Sequence, residues 1–175
     1  MTDLPTAPPV PLPRASLPRR LGALLYESLL LIAIVFVASF LALPLISPGH
    51  ARSVDALTVP ALPERVALFC MLFAMLAWYF MWSWTGGRRT LPMKTWRLKL
   101  VQANGQSLPA KVALLRYLAT WIGPALALVG YAVLHRYGYG AHAFWLIAFN
   151  FLWAFVDPER QFLHDRIAGT RIGRQ

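Results

Sequence analysis

The sequence predicts an all-α membrane protein of about four transmembrane helices, with a short cytoplasmic insertion of strand and amphipathic helix between spans two and three. Three observations predict it. Of 175 residues, 58% are apolar and only 14% are charged, against roughly 25% charged in soluble domains. The apolar residues fall into long blocks, as membrane spans do. The Lys and Arg residues fall between those blocks, and their numbers alternate strongly from one connecting segment to the next.

Residues 1–18 hold six prolines and no apolar periodicity, which predicts a disordered tail leaning towards polyproline II. Residues 19–175 are then one membrane domain. The first block, residues 21–43, reaches about 34 Å as a helix and so crosses a hydrocarbon core of about 30 Å. A cleaved signal peptide is the rival reading, but its apolar region runs only about 7–15 residues and carries no early Glu. Pro44, Pro48, Gly49, Pro60 and Pro63 mark a loop before the second block, residues 66–84. That block ends in Trp78, Tyr79, Trp82 and Trp84, an interfacial aromatic cluster, and Gly86-Gly87 break it.

Residues 88–116 are the most polar stretch between blocks. Trp96, Leu98 and Leu100 alternate with Arg97 and Lys99, the period of a short strand with one apolar face. Asn104-Gly105 offers a tight turn, and Ser107 with Pro109 marks a helix start. An amphipathic stretch from Ala110 leads into the third block, residues 118–134, where Gly123-Pro124 predicts a kink. The fourth block, residues 141–156, falls short of the about 20 residues of a usual span. It either crosses with local thinning or borrowed flanks, or is re-entrant. The tail from residue 157 is polar, with apolar anchors at Phe162, Leu163, Ile167 and Ile172.

Cations set the orientation. The first tail has Arg14, Arg19 and Arg20. The central segment has Arg88, Arg89, Lys94, Arg97, Lys99, Lys111 and Arg116, and the last tail Arg160, Arg166, Arg171 and Arg174. The two alternate loops have only Arg52, Arg65 and Arg136. Fourteen against three places both termini in the cytoplasm and the protein in an inner membrane. A re-entrant fourth block would strand the last four cations outside, so the count favours a crossing. The net charge of +10 therefore reports topology and contact with anionic lipid at the cytoplasmic face, rather than nucleic acid.

Little points to bond-making chemistry. Cys70 is the single cysteine and reads as a small hydrophobe. His50, His135, His142 and His164 form no metal-ligand spacing. No cofactor, metal or catalytic residue is expected, and the chain is not read as an enzyme. Gly86-Gly87-Arg88-Arg89 lacks the Gly-Lys-Ser/Thr of a phosphate loop. Glu27 is the one Asp, Glu, Lys or Arg inside a predicted span, with Arg20 two turns earlier on the same helical face. It reads as a proton- or cation-binding carboxylate, as a polar anchor for helix packing, or as an interfacial side chain reaching for headgroups. Asn150 suits an interhelical hydrogen bond, with ligand contact as the sharper alternative. His164-Asp165-Arg166 has no nucleophile beside it and reads as an interfacial structural motif.

Three stretches together resemble the RDD family of small membrane proteins, named for an Arg and two Asp. The run Arg20-Leu21-Gly22-Ala23-Leu24-Leu25-Tyr26-Glu27 matches the family's Arg at Arg20 and its first Asp at Glu27. The run from Gly87 to Leu98 is the second, and Leu163-His164-Asp165-Arg166-Ile167-Ala168-Gly169-Thr170 the third, with Asp165 on the second Asp. Glu27 lengthens the family's Asp by one methylene. Pro92 stands where the family usually has Gly, which excludes a positive φ there.

The resemblance implies a membrane protein described as a transporter, with cation–proton antiport proposed for some members. Arg20, Glu27 and Asp165 are then expected to form a polar centre near the cytoplasmic side, with Asn150, His164 and Arg166 as secondary candidates. Four spans enclose little volume, so transport would call for a homo-oligomer or a membrane-protein partner. The competing expectation is a non-transporting assembly, scaffold or lipid-interaction protein, in which the same residues are a structural clasp.

Overall fold

A computed structural model describes residues 12–46 and 60–174. Helix α1 covers Leu17–Ile46 and α2 covers Leu62–Trp84. Both extend beyond their apolar blocks, and at the start of α2 the Glu64 carboxylate accepts the Ala61 N–H at 2.8 Å. The expected Pro-rich loop before α2 lies largely outside the described residues. Helix α3 (Leu91–Thr95) is followed by strand β1 (Leu98–Gln102), then by α4 (Ala110–Thr120) and α5 (Ile122–Leu134). The chain closes with a 3-10 turn at His135–Tyr137, a 3-10 helix at Gly140–Ala148, α6 (Phe149–Leu152), a 3-10 turn at Trp153–Phe155, α7 (Leu163–Ile167) and strand β2 (Thr170–Arg174).

Three helices are long and apolar enough to cross a membrane: Leu17–Ile46, Leu62–Trp84 and Ala110–Tyr137. The expectation of four such helices is corrected here. The fourth block is a shorter apolar helix, Gly140–Phe155. Its geometry makes up length, because nine of its residues and then three more are 3-10. At a rise of about 2.0 Å for those and about 1.5 Å for α6, the segment reaches about 30 Å. It lies against α5, where small residues admit its backbone. A Cβ on Gly123 would stand 2.5 Å from the Ile147 carbonyl oxygen, and one on Gly130 would stand 2.8 Å from the Leu146 side chain. Ala127, between the two glycines, is buried as well.

The predicted strand forms one or two residues later than its alternation suggests. Its partner is the polar tail: β1 and β2 pair antiparallel from Leu98↔Arg174 to Gln102↔Thr170. The end of the Pro-rich segment joins the same ladder, where the Ala15 N–H donates to Ile172 O at 3.1 Å and Arg174 N–H to Pro13 O at 2.8 Å. Gly105 takes φ +85 in the Asn104-Gly105 turn, the left-handed geometry that Gly supplies without strain.

The core sits at this end of the helices. Leu98, Leu100, Leu108, Ala113, Tyr117, Trp84 and Met93 pack together where α2, α3, β1 and α4 meet. An aromatic stack of Phe73, Phe80, Tyr117 and Trp121 joins α2 to α4, and Tyr117 Oη donates to the Phe73 carbonyl at 2.8 Å. Farther along the spans large apolar side chains such as Phe36, Phe40 and Leu128 face outward, as lipid contact requires. Cys70 is on this exposed surface, so it is not a core residue.

Candidate functional site

Arg20, Leu24, Glu27, Ser28 and Leu31 recur at helical spacing and form one face of α1. That face lines a cavity of about 290 Å³ closed by α2, α4, α6 and the loop before α7. Most of the wall is apolar, with Leu76, Phe80, Trp121 and Phe151 prominent; its charged members are Arg20, Glu27 and Arg116.

Glu27 is buried and held by hydroxyls. Tyr79 Oη donates to Oε1 at 2.9 Å and Thr90 Oγ1 donates to Oε2 at 2.6 Å. Thr90 is also the N-cap of α3 and accepts from the Met93 N–H. Pro92 falls in the first turn of α3, where its missing N–H leaves no intrahelical bond unmade. Pro92 is therefore accommodated in α3 without an unmade helical bond.

Arg20 donates through Nη2 to the Arg160 carbonyl, and its guanidinium lies 5.1 Å from the centre of the Phe162 ring. Arg160 itself has φ +53, a left-handed conformation rare in non-glycine residues.

Asp165 is 0% exposed and is held by a residue the sequence reading treated as a loop cation. Arg116, in α4, donates Nε to Asp165 Oδ1 at 2.7 Å and stacks over Trp84 at 4.1 Å. Thr170 Oγ1 adds a contact to Oδ1 at 3.2 Å. Burial alone would raise the Asp165 pKa, but the Arg116 charge, His164 and these hydrogen bonds together hold it below the usual carboxylate value.

His164 is the third member of this cluster. Arg116 Nη2 stands 3.2 Å from His164 Nε2. Because guanidinium can only donate, Nε2 must accept, and the ring is neutral with its proton on Nδ1. Burial first, and then the Arg116 charge, push its pKa down to about 4 against the opposing pull of Asp165. The sign of the linkage follows. Between about 6.5 and about 4 the unfolded chain binds a proton that the folded one refuses. Stability is therefore complete above about 6.5 and is lost as pH falls through that window, by on the order of 3 kcal/mol. Thermal melts in detergent from pH 7.5 to pH 4.5 should show this loss, and His164→Gln should flatten it. A wild-type melt that is level across the window would refute the neutral buried ring.

The expected polar centre is therefore divided. Arg20 and Glu27 share the cavity wall, while Asp165 sits behind Arg116 and forms no hydrogen bond with either of them. The long apolar helices also carry Arg20 and Arg116, each just before an apolar block expected to cross. Asn150 makes the expected interhelical bonds, donating Nδ2 to the Thr120 carbonyl at 2.9 Å and to the Ala119 carbonyl at 3.2 Å. Arg166 points outward to Glu159 at 3.3 Å and Asp157 at 3.8 Å, so it belongs to the surface rather than the cavity. Sequence reasoning missed Arg116, Tyr79, Thr90 and Thr170. Arg116 alone left a signal: a single cation between Ala113-Leu114-Leu115 and Tyr117-Leu118.

The sequence model of the RDD family matches residues 14–169. The chain belongs to the RDD family. No curated protein and no solved structure matches it. RDD proteins are not known as catalytic enzymes. Among the described residues of this RDD protein, no group of three or more His, Cys, Asp or Glu side chains is placed to hold a metal ion. Arg116–Asp165 joins the C-terminal segment to α4, and Arg20 and Glu27, both buried, line the cavity wall.

Proposed function

We propose that this RDD protein is a four-span transporter of an inner membrane, cation- or proton-coupled, with both termini in the cytoplasm and Glu27 as its coupling carboxylate. The observation that carries the reading is the setting of Glu27. It lies within a span and lines the cavity, and hydroxyl groups of Tyr79 and Thr90 are its hydrogen-bond partners. A carboxylate held by hydroxyls rather than locked to an Arg retains the capacity to take up a proton or a cation. The fourth crossing is supported by the about 30 Å reach of Gly140–Phe155. With the neutralised Arg116 left out, a split of thirteen cations against three still supports the orientation. Arg88 and Lys94 at the basic end suit contact with anionic headgroups. The small cavity volume favours a homo-oligomer or a membrane-protein partner for transport.

Glu27→Gln keeps the shape and hydrogen-bonding capacity of the side chain and removes its charge. In proteoliposomes loaded with a pH dye and given Na⁺ or K⁺ gradients, wild-type protein should move protons and the Gln variant should fall to the rate of empty liposomes. Equal flux from both removes Glu27 from the mechanism.

A second reading, a non-transporting assembly or scaffold protein, is favoured by the closed Arg116–Asp165 clasp. It expects silent liposomes from wild-type protein together with a stoichiometric partner recovered from native membranes.

A further inference from the structure

We propose that this protein carries a seat for one anionic phospholipid, with the phosphate at Arg20 and Arg171 and an acyl chain in the apolar cavity beside them. A second cavity, of about 310 Å³, adjoins the first and shares Arg20 and Ile172 with it. Its wall carries Arg14, Arg160 and Arg171, the opening residues of α1, and one carboxylate, Glu159. Glu159 is already engaged by Arg14 at 3.0 Å and by Arg166 at 3.3 Å. Among the described residues Arg20, Arg160 and Arg171 have no carboxylate at ion-pair distance; Asp165 and Asp157 act on Arg20 only from farther off, so the wall of four arginines and one engaged carboxylate is net positive.

Two buried donors point to what neutralises it. Arg20 is only 7% exposed, yet its Nε has no acceptor, and the buried Nε of Arg171 has none either. A buried donor left unpaired costs about 1–3 kcal/mol, more when charged. Oxyanions meet guanidinium groups through charge-assisted, often bidentate bonds. The start of α1 adds to the same field. It is the positive end of a 30-residue helix with no acidic side chain in its first turn.

The neighbouring cavity decides between a free anion and a lipid. Beyond Arg20 the α1 face continues as Ala23, Leu24 and Leu31, with Phe151 among the residues opposite; Glu27 is on the same wall, with one oxygen bonded to Tyr79 and the other to Thr90. A free phosphate would leave this apolar space empty, whereas a phospholipid fills both cavities with one molecule. The arginines sit where α1 begins, at the end of the helices rich in cations, which is headgroup level for a chain reaching into the span.

Native mass spectrometry of the full chain, released from nanodiscs, tests the seat without reading flux, so it and the Glu27 mechanism fail separately. Phosphatidylglycerol should be retained at least tenfold over phosphatidylcholine, whose choline meets the arginine cluster unfavourably. Arg171→Gln, on the half-exposed β2, should cut that retention about tenfold. Ala23→Phe, which fills the chain cavity, should do the same while leaving the elution profile monodisperse. Arg136→Gln, an exposed cation in the short loop after α5 that lines neither cavity, should retain the lipid as wild type does. Equal retention of the two lipids, unchanged retention in Arg171→Gln, or displacement by excess glycerol phosphate would each overturn the proposal, the last by showing that the headgroup binds without its chain.

Discussion

Arg116→Met should cost this protein about 3–5 kcal/mol and most of its abundance in the membrane. The reasoning rests on what the substitution leaves behind. Arg116 and Asp165 are both nearly fully buried, with Nε and Oδ1 2.7 Å apart. Removing the guanidinium strands a carboxylate whose second oxygen, Oδ2, already lacks a partner. The stacking on Trp84 at 4.1 Å goes with it. A methionine fills most of the volume, so packing loss is small and the charge dominates. The double variant Arg116→Met/Asp165→Asn separates the effects. With no bare charge left, it should recover at least 2 kcal/mol of the single variant's loss, since an isosteric neutral pair is often as stable as a buried ion pair. Fluorescence-detected size exclusion and detergent melts of the four proteins complete the cycle. A single variant as stable as wild type would show that Asp165 is not locked.

The same pair explains what could and could not be read before the structure. Span positions were visible because lipid exposure demands continuous apolar runs, and α1 and α2 bracket the predicted blocks. The strand at Leu98–Gln102 was visible because Leu98 and Leu100 alternate with the basic Arg97 and Lys99, although Val101 on the opposite face is buried too. Its partner was not, since Thr170–Arg174 shows little alternation and depends on a contact about seventy residues away. Arg20 and Glu27 were placed on one helical face by spacing alone. Arg116 was misassigned for a physical reason. A cation count treats every Lys and Arg as a topological marker, but this one is neutralised by Asp165 and lies inside an apolar helix. Hydroxyl partners such as Tyr79 and Thr90 carry no sequence signature, because they act through distance rather than charge.

Asn150 illustrates how a local fault in one helix is repaired by another, and its removal should cost about 4 kcal/mol. Pro124 has no N–H, so the Thr120 carbonyl four residues earlier loses its intrahelical donor. The helix breaks just there, at Trp121 between α4 and α5, slightly before the kink expected at Gly123-Pro124. Asn150 Nδ2 supplies the missing donor at 2.9 Å and reaches the Ala119 carbonyl at 3.2 Å as well. Both acceptors lie within a span, where water does not replace a lost partner, and each orphaned carbonyl costs about 1–3 kcal/mol. Asn150→Leu should therefore lower the detergent melting midpoint sharply. Restoring the N–H with Pro124→Ala should recover much of that loss in the Asn150→Leu background, while the same change in the wild-type background does little. Additive losses in this cycle would show that Asn150 packs against α4 without repairing it. Coupled losses would mean that the short fourth segment is tied to the third span by the defect that bends it.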